Sequence, residues 1–210
     1  MPNIVPVILA AGDSSRMGYP KALLPLGADT FLTRILRAVR TLALPQARVV
    51  LGRDAARILP LVSPREARTI INPDPGRGQV SSLRLAAQTM PPESLGCLVW
   101  PVDQPLVPAE VAGELVRCFL ESSPMVALPR CNGQAGHPAI LGRTLLDELI
   151  VAPADTSPKL IISRYRAQTA WVETGDKSTI EDLDTPEDYL RIVGEPLKTA
   201  LARRAGEITP

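Results

Sequence analysis

The sequence predicts an α/β protein with a mostly parallel central sheet and helices on both faces, a three-layer sandwich in one domain. Three observations carry that expectation. Short apolar runs, nearly free of polar residues, recur along the chain, as strands buried on both faces do. Segments with apolar residues at helical spacing lie between them. Strand–helix–strand alternation then calls for crossovers, which join parallel strands. The 210 residues fit a single domain, long enough to bury a core without disulfide or metal staples.

The first strand is Val5–Ala10. The N-terminal MPNIVPVILAAG superficially resembles a signal peptide, but it has no basic start and Pro6 interrupts it, so a buried strand explains it better. Phe31–Leu42 reads as a helix from the spacing of Phe31, Leu32, Ile35, Leu36 and Val39. Ala47–Leu51 and Thr69–Ile71 are strands flanking a short helical segment, Asp54–Leu61. A helix at Ser81–Gln88 leads to the fourth strand, Leu95–Val102, and Pro108–Leu120 opens as a helix with Pro and Glu. Past residue 123 the rhythm changes. Met125–Leu128 and Pro138–Leu141 read as strands around a Cys-Asn-Gly turn, Thr144–Ile150 and Pro158–Arg166 as helices, and Thr169–Val172 as a strand. Thr185–Val193 is a helix that Asp184 or Thr185 can cap. The tail, Pro196–Arg204, reads as a surface helix without chemistry, so the domain is placed at 1–194 with residues 195–210 appended.

Composition removes several function classes. Lys+Arg is 23 against Asp+Glu 22, a net charge of +1, which argues against nucleic-acid binding through a broad basic surface. Aromatics are 3%, too few for stacking several bases. No apolar run approaches the ~18 residues of a membrane span. Cys97, Cys118 and Cys131 fit neither a zinc pattern nor a disulfide framework, and read as thiols of a reducing cytosol. A cytoplasmic location is expected, with no nucleic acid and no membrane as partner.

In an open α/β sheet, ligands bind at the C-terminal ends of strands, which directs attention to the loop after the first one, LAAGDSSRMGYPKALLPLG, residues 9–27. Ala10, Ala11, Gly12 and Gly18 let backbone approach a ligand, Ser14 and Ser15 supply donors, and Arg16 and Lys21 supply cations. Successive backbone N–H groups in such a loop form an anion-binding concavity, and the two cations suit a polyphosphate. A Gly/Ser turn with solvated cations is the plain alternative. The spacing matches neither the Walker A loop nor the dinucleotide fingerprint, which sets an NAD-dependent oxidoreductase aside.

Other polar positions have two readings each. Asp103, in VWPVDQPLV, follows a run too apolar for an exposed strand. A carboxylate there needs a partner or a metal, unless it is a turn residue before proline. In EDLDTPEDY, Asp182, Asp184 and Asp188 suit a capped helix start. Asn72 ends a strand, and Gly78-Gln79-Val80-Ser81-Ser82-Leu83 opens a helix whose N-terminus offers donors to a base or ribose, or is simply capped. His137 in Gly136-His137-Pro138 is the one histidine, which leaves no basis for a histidine metal site or a Ser-His-Asp hydrolase.

The motif L-A-A-G-x-S-x-R-M-G-x-x-K-x-L-L-P closely resembles the signature of nucleotidyltransferases related to molybdenum cofactor cytidylyltransferase, within the MobA-like, GT-A-type superfamily. Further matches extend to about Leu190. The resemblance implies a Rossmann-like fold of the nucleotide-diphospho-sugar transferase type. It implies that the loop, with Ala10, Ala11, Gly12, Ser14 and Ser15, wraps a nucleoside triphosphate, that Arg16 grips the β and γ phosphates, and that Lys21 lies near the α-phosphate. V-D-Q-P-L resembles the element that carries the metal-binding aspartate, making Asp103 a magnesium ligand. Asp184 is the second candidate, with Asp182 in reserve. Asn72, Gly78, Ser81 and Ser82 resemble the G-x-x-S-S element beside the nucleotide, and G-H-P places His137 on the acceptor side as a substrate-binding residue.

The activity implied is transfer of CMP from CTP to a molybdopterin-type cofactor with release of pyrophosphate, the product destined for a molybdoenzyme apoprotein. The double alanine is similar to pyrimidine-using members, whereas guanylyl-transferring relatives usually read L-A-G-G. Guanylyl transfer, transfer to a sugar phosphate, and a non-catalytic nucleotide or cofactor carrier are the alternatives. One stretch departs from the family. Where relatives carry a G-D-x-G-A-R-like element, this chain has Ala154-Asp155-Thr156-Ser157-Pro158-Lys159, which bears on the acceptor more than on the nucleotide.

Overall fold

A computed structural model describes residues 3–153 and 156–207, apart from the side chains of Lys159 and Glu207. Ala154, Asp155 and the Lys159 side chain, within the stretch that departs from the family pattern, lie outside the described residues. The strands are β1 (Ile4–Ala10), β2 (Pro25–Leu26), β3 (Asp29–Thr30), β4 (Ala47–Leu51), β5 (Ala67–Ile71), β6 (Gly96–Pro101), β7 (Val126–Cys131), β8 (Gln134–Ala135), β9 (Ala139–Gly142) and β10 (Thr169–Glu173). The α-helices are α1 (Phe31–Thr41), α2 (Ala55–Ile58), α3 (Gln79–Gln88), α4 (Ala109–Ser122), α5 (Arg143–Val151), α6 (Pro158–Arg164), α7 (Pro186–Val193) and α8 (Leu197–Glu207).

The main sheet runs β10-β7-β9-β6-β1-β4-β5, with β8 paired to β7. β1 pairs parallel with β4 and β6, β4 with β5, and β7 with β10. β9 alone in the main path is reversed, antiparallel to both β6 and β7. The fold is thus a single α/β domain with a mostly parallel sheet. β1 explains why the sheet needs two covers: all seven of its residues are buried. Ile4, Ile8 and Ala10 join one core cluster, with residues of α1, α4, α7 and α8. Val5, Val7 and Leu9 join the other, with residues of α3, α5 and α6. Alternate side chains of a strand leave on opposite faces, so a strand apolar at every position demands a layer on each side.

The helices follow their sequence signals. α1 buries Phe31, Leu32, Ile35, Leu36 and Val39 and starts on a capping box, Thr30 Oγ1 accepting from the Thr33 N–H at 3.2 Å and Thr33 Oγ1 from the Thr30 N–H at 2.7 Å. The Cys-Asn-Gly turn is present, with Asn132 and Gly133 both at positive φ (51° and 77°), as a tight hairpin between β7 and β8 requires. β2, β3 and β8, two residues each, are too short for an alternation to register. α8 is attached to the core: Leu197 and Ala200 are buried in the first cluster, and Arg204 Nη1 donates to the Asp29 carbonyl at 2.7 Å. Cys97 and Cys131 are buried and all three thiols are free; burial pushes the Cys97 thiol up to about 12, an inert group. Among the described residues no helix is long and apolar enough to cross a membrane.

From β1 the chain builds outward through β4 to β5, then returns across β1 to lay down β6 on its other side. The crevice beyond the C-terminal ends of β1 and β6 is therefore the switch point where such sheets bind ligands.

One cation fastens the helices on the second face. Arg84 of α3 donates from Nε to the Leu149 carbonyl at 2.7 Å, and from Nη2 to the carbonyls of Ala152 at 2.7 Å and Pro153 at 2.6 Å. These oxygens belong to the end of α5 and the residues just after it, where a cation also meets the helix dipole. Hydrogen bonds to charged groups contribute roughly 1.5–3 kcal/mol each and overlap here, so Arg84→Met is expected to destabilise by about 2–4 kcal/mol. That corresponds to a Tm lowered by roughly 5–10 °C. Thermal unfolding followed by circular dichroism checks it; an unchanged Tm removes Arg84 as the fastener.

Candidate active site

β1 ends at Ala10, and the loop after it is held by its own polar groups. Ser14 stands at φ +53°, its carbonyl accepting from the N–H groups of Met17 at 3.1 Å and Gly18 at 3.0 Å. Its hydroxyl accepts from the Lys21 N–H at 3.1 Å, and Asp13 Oδ1 accepts from the Ser15 N–H at 3.1 Å. Met17, 3% exposed, anchors the loop in the core. Gly52, just after β4, lies so close to this turn that an added Cβ would strike the Ala11 carbonyl oxygen. Arg57 of α2 covers the Tyr19 ring at 4.9 Å.

Three chain segments meet on Lys21. Its ammonium donates to Asp103 Oδ2 at 2.9 Å and to Asp184 Oδ1, while Arg16 Nη2 pairs with Asp184 Oδ2 at 2.8 Å. Asp103 stands just past the end of β6. Asp184 precedes α7 without capping it: Thr185 is the cap, its hydroxyl accepting from the Asp188 N–H at 3.1 Å, while Asp188 Oδ2 accepts from the N–H groups of Thr185 at 3.0 Å and Asp184 at 3.2 Å. With the helix start satisfied by its neighbours, the Asp184 carboxylate is available to the cations. Burial works to raise the Asp184 carboxyl, but the Lys21 hydrogen bond and charge, with Arg16, hold it below its ordinary value. For Lys21, burial works to lower the ammonium and the two carboxylates outweigh it, leaving it raised and charged.

These groups line one cleft of about 260 Å³. Of the expected residues, Ala10, Ala11, Gly12, Ser14, Ser15, Arg16, Lys21, Gly78, Ser82, Asp103 and Asp184 all border it. Asn72 and Ser81 stand behind that wall. Asn72 is 3% exposed; its Nδ2 donates to Ser81 Oγ at 2.8 Å and Ser82 Oγ at 3.0 Å, and its Oδ1 accepts from the Asp74 N–H at 3.0 Å. It therefore braces the turn into α3. Gly78, at φ +77° and ψ −176°, occupies backbone space essentially reserved for glycine and precedes a helix with no side-chain cap. Gly78, Gln79 and Ser82 at this helix start border the cleft, and the first N–H groups of a helix have no partner within it, which suits an anion.

His137 does not border the cleft. Its N–H donates to the Thr179 carbonyl at 2.8 Å, burial holds its imidazole below the ordinary value against the charges of Asp182 and Asp103, and its buried Nδ1 has no partner among the described residues. Asp182 lies with it rather than with Lys21. Partial burial and the charge of Asp103 raise its carboxyl, while a hydrogen bond from Gln104 Nε2 at 2.7 Å works the other way. Sequence reasoning passed over Gln104, Asp54, Ile58 and Pro75, the last three on the cleft wall. The position of Asp54 just past a strand end was the only signal among them.

A loop of backbone donors, a lysine and an arginine can hold several phosphate charges at once. Among the described residues no three His, Cys, Asp or Glu side chains converge as a metal cage. Asp103 and Asp184 fit a hard divalent cation of the magnesium type, which needs only one or two carboxylates and takes its other ligands from phosphate and water.

Residues 6–169 match the MobA-like NTP transferase domain family. The chain is 30% identical over 197 residues to the probable molybdenum cofactor guanylyltransferase of Rhodopirellula baltica, covering 93% of this chain and 89% of that protein. It is 28% identical over 188 residues to the molybdenum cofactor cytidylyltransferase of Escherichia coli, covering 88% and 92%. The crystal structure of Rv0371c from Mycobacterium tuberculosis is similar at a TM-score of 0.80 and 26% identity, over 91% of this chain and 98% of that one. The manganese complex of that protein matches at a TM-score of 0.77 and 24% identity, with the same coverage.

The Lys21 bridge has a pH signature. Removing one partner of a fully buried pair costs about 3–5 kcal/mol. Asp103 and Asp184 keep 25% and 23% of their side-chain surface in water, so Lys21→Met is expected to cost about 2–4 kcal/mol at pH 7. The depressed Asp184 carboxyl contributes stability above the unfolded value near ~3.9, and that contribution is lost as pH falls through its folded value. In the variant the two carboxylates repel, and acid relieves them. The gap between wild type and variant should therefore narrow below about pH 4. Urea midpoints at neutral and acid pH read this directly; a gap independent of pH would sink the assignment.

Proposed function

Because the chain belongs to the MobA-like NTP transferase domain family, we propose that this nucleotidyltransferase carries out magnesium-dependent transfer of CMP from CTP to a molybdopterin-type phosphorylated acceptor, releasing pyrophosphate. The observation that carries the reading is the Lys21 bridge between Asp103 and Asp184 at the switch point, with Arg16 on the second carboxylate. It sets two cations and two carboxylates beside a loop of backbone donors, as in-line phosphoryl chemistry requires.

An oxygen of the acceptor phosphate attacks the α-phosphorus; the new P–O bond forms as the α–β bridging P–O bond breaks, and pyrophosphate leaves with the electron pair. A phosphate monoester is largely dianionic at neutral pH, its second pKa being about 6, so no general base is required, which suits a cleft without histidine. Lys21 donates to the oxygens of the α-phosphate, where charge gathers, and Arg16 holds the departing pyrophosphate. The amides of residues 11–14 and the start of α3 fix the triphosphate in line. Asp103 and Asp184 would hold the divalent ion, whose contribution would be neutralisation of phosphate charge. Gly78, Ser82 and the Asn72–Ser81 brace support the ribose and base, while an acceptor role for His137, buried outside the cleft, rests on its G-H-P motif alone.

The choice of CTP rests on Ala10-Ala11-Gly12, and the cytidylyltransferase from Escherichia coli supports it. Guanylyl transfer is the second reading, favoured by the guanylyltransferase name of the Rhodopirellula relative. A non-catalytic carrier would bind nucleotide without releasing pyrophosphate.

A thermal-shift panel of CTP, GTP, ATP and UTP, with and without magnesium, decides among these. A nucleotide at 100 times its Kd stabilises by about 2.7 kcal/mol, a shift of roughly 5–10 °C here. A magnesium-dependent shift for CTP alone is expected; a GTP preference moves the assignment to guanylyl transfer. Asp103→Ala should stay folded and lose at least roughly 100-fold in pyrophosphate release with molybdopterin as acceptor, about the cost of one preorganised electrostatic contact. Unaltered turnover in that variant removes Asp103 from the metal site.

A further inference from the structure

Gln104 follows Asp103 directly and is 3% exposed, an unusual depth for an amide. Its side chain spends both hydrogen bonds on one distant segment: Nε2 donates to Asp182 Oδ1 at 2.7 Å and to the Thr179 carbonyl at 3.3 Å. Both partners are acceptors only, so the amide orientation is set, since a flipped oxygen would face a carboxylate and a carbonyl. The backbone on either side is held too. The Gln104 carbonyl accepts from Trp100 Nε1 at 3.0 Å, and the Asp103 carbonyl accepts from the Leu183 N–H at 3.0 Å. Leu183, 1% exposed, plugs the same segment into the core.

The arrangement spends stability rather than adding it. Gln104 Oε1 is buried with no partner among the described residues, and an unsatisfied buried acceptor is costly. Asp182 keeps much of its surface in solvent and does not need this amide to be satisfied. An apolar side chain would pack position 104 without leaving that orphan. What the amide does hold is the 179–182 stretch, two residues short of Asp184, which shares the Lys21 ammonium with Asp103.

We propose that Gln104 is a positioning residue: it clasps the 179–184 segment to the loop after β6, so that Asp103 and Asp184 are presented together to the metal and triphosphate. This rests on the nucleotidyl-transfer reading. An amide suits the task chemically, since it donates twice without adding charge. Lysine or arginine at 104 would compete with Lys21 for the carboxylates, and glutamate would repel Asp182.

The test compares wild type, Gln104→Leu, Asp182→Leu and the double variant. Magnesium is titrated against saturating CTP, and in parallel GTP, and the half-maximal concentration for thermal stabilisation is read. Loss of a hydrogen bond to a charged group should raise that concentration about tenfold in Gln104→Leu, while ligand-free Tm moves by less than roughly 3 °C. The double variant should be no worse than the more impaired single one, because both remove the same clasp. Amide exchange at Leu183, read without ligand, should accelerate about tenfold as the segment loosens. A metal midpoint within about twofold of wild type, or additive effects in the double variant, overturns the clasp. If Gln104→Leu does not fold, Gln104→Asn keeps the amide but shortens its reach, and a midpoint shifted at least about threefold is then required, since the same bond is stretched rather than lost. A wild type without any magnesium-dependent nucleotide stabilisation overturns the nucleotidyl reading instead; unaltered Leu183 exchange in Gln104→Leu would still overturn the clasp.

Discussion

The Lys21 ammonium is the point on which the architecture of the site depends. It is 12% exposed at its side chain and joins residues 82 and 163 positions away. Taken alone, each of the three partly buried charges carries a desolvation cost, Lys21 most of all. Brought together, and with Arg16 on the outer face of Asp184, they satisfy one another. The geometry that achieves this is specified by the fold: Lys21 is delivered by the turn after β1, Asp103 by the end of β6, Asp184 by the approach to α7. Because β1 and β6 are neighbours, parallel and in register from Ile4–Gly96 to Leu9–Pro101, their C-terminal ends open on the same edge. A mostly parallel sheet is thus what allows a lysine and an aspartate so distant in sequence to meet.

Much of that sheet was legible in the sequence because its physical cause is local. Strands buried on both faces are apolar nearly throughout, and β1 and β6 show it plainly, while β4 admits Arg48, which donates to the carbonyls of Gln46 and Thr89. The cleft residues of the loop after β1 were legible for a similar reason: glycine, serine, arginine and lysine are concentrated immediately after a buried strand. What stayed hidden depends on tertiary partners. The reversal of β9 leaves no mark on Ala139–Gly142, whose four residues are buried just as those of a parallel strand would be. Asn72 directly follows β5, yet its role bracing Ser81 and Ser82 appears only when the turn into α3 is built. Nothing in the sequence singles out Gln104, because its partner Asp182 lies on a segment 78 positions away.

The acidic motif before α7 shows how one short stretch is sorted by its surroundings. Asp188 closes the capping box, and the Thr185 hydrogen bond chiefly holds its carboxyl low. Asp184, released from capping, is held low by Lys21 and Arg16 despite partial burial. Asp182, two residues earlier, is raised by partial burial and by Asp103, with the Gln104 amide and the charge of His137 opposing the shift but not reversing it. The three carboxylates share a sequence context and differ in what faces them. A hard cation gains most from a carboxylate that stays ionised beside phosphate, which favours Asp184 over Asp182. Asp182 in turn serves best as an acceptor for a buried amide. The division between the pair therefore follows from the identity of their partners: a lysine and an arginine in one case, Gln104 in the other.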